Sequence, residues 1–164
     1  MKRALTLLAL LSCGCASVGI QTSYAPRLGY SRPSVGAYVR SEGSLGRASL
    51  ALWSVEKEAG GSGYAISGEA LWQAVEVRGL RLLVGGEGNW QRVEKWDSQR
   101  LAPRIEFGTR ALSAYYVGND RKIEKIVGLR GQKGRVVLEL GHVWHSEGTG
   151  WRGAIMVDLW RNRK

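Results

Sequence analysis

The chain is 164 residues long, 44% apolar and 23% charged, which suits one folded domain and excludes a disordered chain. Its 23 glycines show no Gly-X-Y period, which excludes collagen, and no apolar run reaches the roughly 18–20 residues of a transmembrane helix. The formal net charge is +10, and 7 Trp and 6 Tyr stand against 1 Phe and 3 Pro, a composition that suits many strands joined by tight turns.

Met1-Lys2-Arg3 is a basic opening, and the short apolar stretch Ala4–Leu11 comes directly after it. Together they predict a secretory signal rather than a membrane span. Leu10-Leu11-Ser12-Cys13 resembles a bacterial lipoprotein box, which makes 1–12 the signal peptide and Cys13 the lipidated residue; an ordinary cut after Ala16 is the alternative. A cut before Cys13 removes Lys2 and Arg3 and no acid, leaving a side-chain charge of +8. Both cysteines, Cys13 and Cys15, lie in this leader region, so no disulfide is expected in the domain. Residues 13–33 are read as a lipidated N-terminus and tether.

From Ser34 to Arg161 the spacing predicts eight period-two segments: 34–42, 47–57, 64–76, 79–92, 103–117, 121–131, 134–145 and 150–161. Glycine-rich turns such as Gly60-Gly61-Ser62-Gly63 and Gly131-Gln132-Lys133-Gly134 separate them. A basic tail, 162–164, ends the chain. Eight long antiparallel segments with short links most simply close into an all-β, eight-stranded up-and-down barrel.

Splitting the segments by face gives one apolar and one polar surface. The polar face carries Glu69, Arg81, Glu87, Glu106, Arg110, Glu139, Arg152 and Asp158 among small residues, with both signs present and no Lys. Arginine suits buried pairing, because its planar fork meets carboxylates bidentately. The aromatics of the apolar face lie near segment ends: Tyr64, Trp72, Trp90, Phe107, Tyr115, Trp144 and Trp151. Tyr64 to Trp72 spans roughly 20 Å along the normal of a tilted strand, close to the lipid band of a membrane barrel. The charged face is therefore expected inside, plugging the lumen, with the aromatics at the membrane interfaces. The same alternation places Trp160 on the polar face. A soluble barrel with these faces reversed is the alternative.

A signal sequence ahead of eight long alternating strands resembles the small outer-membrane barrels of the OmpA, OmpX and PagP type, over about residues 34–161. The resemblance implies an outer-membrane location, no cofactor and a structural or surface-interaction role in the Gram-negative envelope, whether host- or phage-encoded. Small lipid A deacylases of the PagL type carry a His-x-Ser pair near their last strands, with an acid orienting the histidine. His145, Ser146 and Glu147 are the nearest counterparts here, at a different spacing, and they define an enzymatic alternative. His142 and His145 fall on opposite strand faces, so no metal is expected. A lipocalin-like barrel with an apolar ligand on an inward tryptophan face is a third reading. The remaining basic residues, including Arg47, Arg104 and Arg130, are assigned to turns and tails. There Arg121, Lys122 and Lys125 are expected to meet lipopolysaccharide phosphates, with no nucleic-acid partner and a monomeric state.

Overall fold

A computed structural model of the chain describes residues 15–24, 34–56, 62–93, 96–118, 125–145 and 148–162. It contains ten strands: β1 (Cys15–Tyr24), β2 (Ser34–Gly43), β3 (Gly46–Glu56), β4 (Ser62–Val77), β5 (Leu80–Val93), β6 (Trp96–Gly108), β7 (Leu112–Val117), β8 (Lys125–Lys133), β9 (Val136–His145) and β10 (Gly148–Arg161). Each pairs antiparallel with its sequence neighbour, and β1 also pairs with β10, closing an up-and-down barrel.

Ten strands replace the expected eight for two physical reasons. The segment read as a tether contains β1, where Ser17, Gly19 and Gln21 point inward and Val18 and Ile20 outward. The segment 103–117 is two strands. Its period continues through the turn Thr109–Ala111, where the Thr109 hydroxyl accepts from the Leu112 N–H at 3.0 Å, so one hairpin reads as one strand. The turn also shifts the parity, so the side chains of β7 face the opposite way from what the unbroken alternation demands.

One end of the barrel carries the tight connections Ser44–Leu45, Arg78–Gly79, Thr109–Ala111 and Gly134–Arg135, together with the start of β1 and the end of β10. We call this the turn end. At Arg78–Gly79 both residues have positive φ, 52° and 81°, the backbone that matches strand twist in a two-residue hairpin. The connections at the opposite, loop end run through 25–33, 57–61, 94–95, 119–124 and 146–147, which lie outside the described residues.

Alternation sorts the side chains into two environments. Leu50, Leu52, Ile66, Trp72, Leu101, Phe107, Leu129, Leu140 and Ile155 are exposed on the outer wall, Leu101 to 79%. Arg40, Arg47, Arg81, Arg104, Glu106, Arg130 and Asp158 are buried in the lumen. In β10 a bulge at Leu159 shifts the register, since Val18 pairs with Trp160 but Gly19 with Asp158. The extra residue turns Trp160 outward, where it is 55% exposed, instead of leaving it on the polar face.

Candidate functional site: the charged lumen

Glu69 on β4 and Glu87 on β5 stand directly opposite each other, an arrangement that repels unless a cation bridges it. Arg104 on β6 supplies the bridge. Its Nη1 lies 3.0 Å from Glu87 and 3.5 Å from Glu69, while Nη2 lies 3.3 Å from Glu106 and 3.2 Å from Glu139. One guanidinium therefore meets four carboxylates from β4, β5, β6 and β9. Arg47 on β3 forms a second bridge, 2.6 Å from Glu69 through Nε and 2.5 Å from Glu106 through Nη2. Arg130 reaches Glu139 at 3.3 Å, and the Ser113 hydroxyl donates to Glu106 at 2.7 Å.

Toward the turn end, Arg81 pairs with Glu42 at 3.0 Å. Arg40 donates to Asp158 Oδ2 at 3.1 Å, and the Tyr38 hydroxyl donates to Asp158 Oδ1. Leu71, Leu83 and Val137 are buried at the same end. Toward the loop end, Arg152 grips Glu87 with two bonds, at 3.0 and 3.2 Å. Above that pair the lumen opens into a cavity of about 170 Å³, walled by Ala51, Trp53, Val55, Ala65, Asn89 and Met156.

Tyr115 holds the network against the wall. The Arg104 guanidinium stacks over its ring at 4.3 Å. The ring in turn lies against the paired glycines Gly128 and Gly141. A Cβ at Gly128 would come within 2.5 Å of the ring, and one at Gly141 within 2.6 Å of the hydroxyl. Only glycine at both positions lets the ring lie flat on the β8–β9 wall. Ala102, Val117, Ile126 and Val143 pack beside it.

The structure brings Glu69, Arg81, Glu87, Glu106, Glu139, Arg152 and Asp158 into the lumen. Arg110 is not with them: it sits exposed in the turn between β6 and β7. Tyr115 is likewise not an interface aromatic but a buried lumen residue, because the same turn inverts the parity of β7. Tyr64, Trp72, Trp90, Phe107, Trp144 and Trp151 are outward. Among tryptophans whose side chains are described, Trp53 is the one that faces the lumen.

Sequence reasoning missed Arg40, Arg47, Glu42, Arg104, Arg130 and Tyr38. Arg104 shares its parity with Glu106 two residues on, and Arg47 shares it with Ser49, Ala51 and Trp53, so period two did carry the signal. Among the catalytic candidates, Ser146 and Glu147 lie outside the described residues, as does the side chain of His145. Cys13, Arg121 and Lys122 also lie outside them. Lys125 is exposed at the loop end of β8. No protein-family model and no curated protein matches the chain. Its class therefore rests on geometry: an all-strand, antiparallel, up-and-down closed barrel.

Proposed function

We propose that the chain is a non-enzymatic, membrane-spanning barrel of the Gram-negative outer membrane, lipid-anchored at Cys13, with a structural or surface-interaction role. One observation carries the reading: the wall is apolar outside and charged inside. A water-soluble barrel gains its stability by the opposite arrangement, and monomeric soluble proteins rarely expose an apolar surface this continuous. In a bilayer the same wall is solvated by acyl chains, and closure leaves no strand edge unpaired in lipid. The lipocalin-like alternative needs an inward tryptophan face, and among the described side chains Trp53 is the one inward tryptophan. Membrane barrels keep their short connections on the periplasmic side, so in this reading the turn end is periplasmic and the loop end faces the cell exterior.

The test is a full-length chain with Cys13 and Cys15 changed to Ser, run boiled and unboiled on an SDS gel after refolding. A detergent-dependent species whose migration changes on boiling supports the membrane barrel. A folded, detergent-free monomer refutes it. Separately, labelling with a lipid precursor that disappears in Cys13→Ser alone tests the anchor.

A further inference from the structure

The strand registers lay out a small grid on the outer wall at the loop end. Lys125, Trp144 and Thr149 form one row across β8, β9 and β10; one step toward the turn end, His142 stands beside Trp151. The His142 ring meets both indoles edge-on, with centroids 4.4 Å from Trp144 and 4.8 Å from Trp151. These contacts close off Nδ1, which is buried and has no hydrogen-bond partner. Nε2 is then the ring nitrogen left open to the surroundings. One further step down, the outward residue is Gly153, where an added Cβ would meet nothing closer than 3.8 Å. Directly below Trp151 the wall therefore carries no side chain from β10.

In the matching patch on β4–β6, Arg92 stands beside Tyr64 and has Asp97 as its backbone register partner on β6. On β8–β10 the described outward residues include no acid, and Lys125 and His142 present donors. Two donors at the edge of an apolar wall, framed by indoles above the side-chain-free Gly153 and its neighbour Leu140, match an anionic head with an acyl tail.

We infer that Lys125, His142, Trp144 and Trp151 form a binding site for a phosphorylated glycolipid of the outer leaflet, of the lipid A type. The phosphate meets Lys125 and His142 Nε2, the indoles flank the sugar, and one acyl chain descends over Gly153. This deepens the membrane-barrel reading and rests on it. The loop end faces the leaflet where that lipid resides, which selects it over a phospholipid.

The experiment is a titration of the full chain, in detergent micelles, read by native mass spectrometry. The probes are bisphosphorylated lipid A, its dephosphorylated form and phosphatidylglycerol. Bisphosphorylated lipid A is expected to bind best. Lys125→Gln is expected to lower that affinity about fivefold, the effect of one basic residue near an anionic surface. His142→Gln is expected to lower it too, and Gly153→Leu to weaken both forms of lipid A alike by placing a side chain in the path of the acyl chain. Arg92→Gln is expected to leave it unchanged. Equal affinity for the three lipids, or an equal loss in Arg92→Gln and Lys125→Gln, overturns the site while a heat-shifted gel band keeps the membrane barrel standing. A detergent-free folded monomer overturns both.

Discussion

At the turn end the lumen is packed to the point that Arg47 has no exposed side-chain surface and its partner Glu106 has 2%. At the loop end Arg152 and Glu87, an equally direct pair, keep 21% and 16% of theirs. The two halves are built from the same residue types on the same strands. What differs is the size of their neighbours. Leu71, Leu83, Val137, Arg81 and Arg130 crowd the first, while Ala51, Ala65, Ser67 and Ala154 line the second. Ten strands enclose a wider lumen than eight, and only long side chains can fill it. Where the inward residues shorten, a cavity of about 170 Å³ remains, large and polar enough to hold several waters. In the packed half an ion pair is structural, because neither partner can turn to solvent. In the open half the same pair keeps access to water.

This contrast can be broken first at its hinge. Arg104→Met removes the cation that four carboxylates share; each keeps one other arginine, but the buried cluster is left one positive charge short, and urea unfolding in detergent is expected to show a loss of about 3–5 kcal/mol. Gly141→Ala pushes against the Tyr115 hydroxyl and shifts the ring that backs Arg104. The same assay should register about 1–3 kcal/mol, as overpacking does. Ala51→Leu tests the hollow half directly: its side chain enters the cavity, and the unfolding free energy is expected to change by less than about 1.5 kcal/mol. Ser113→Leu, in the packed half, removes the bond to Glu106 and is expected to cost more than Ala51→Leu in a side-by-side melt. Arg110→Met, on the exposed turn, should stay within about 0.5 kcal/mol of the parent. A large loss there would mean the β6–β7 parity is wrong.

Much of the architecture was legible because period two is a direct imprint of a wall with two different sides. The strands with clean imprints, such as β4, β5 and β9, fall where the alternation put them. The failures are equally physical. β1 alternates as Ser17-Val18-Gly19-Ile20-Gln21, but its inward residues carry no charge and two of them, Ser17 and Gly19, are small, which gives the alternation little contrast. The β6–β7 turn hides because Thr109 and Ala111 continue the rhythm of the strand before it. The bulge at Leu159 adds a single residue that no composition rule announces, and it moved Trp160 to the opposite face. The charged lumen was half legible for the same reason. Acids on clean strands were found, whereas Arg47, Arg104 and Arg130 lay near segment ends and passed for turn residues. Which arginine meets which carboxylate depends on strands far apart in sequence, and no local pattern encodes that.

The pairing of β1 with β10 also sets the timing of assembly. Ser17 lies opposite Arg161, and the Asn162 N–H donates to the Ala16 carbonyl at 2.9 Å. The first described strand to leave the ribosome therefore has one of its two edges satisfied only by the last. Every hairpin between them can form locally, but the final seam joins the largest sequence separation in the molecule, and such contacts form slowly. Until it closes, both β1 and β10 expose an unpaired edge, open to pairing with another chain. The chain thus has a long interval in which it must be kept from its own kind, and that interval ends at a single seam.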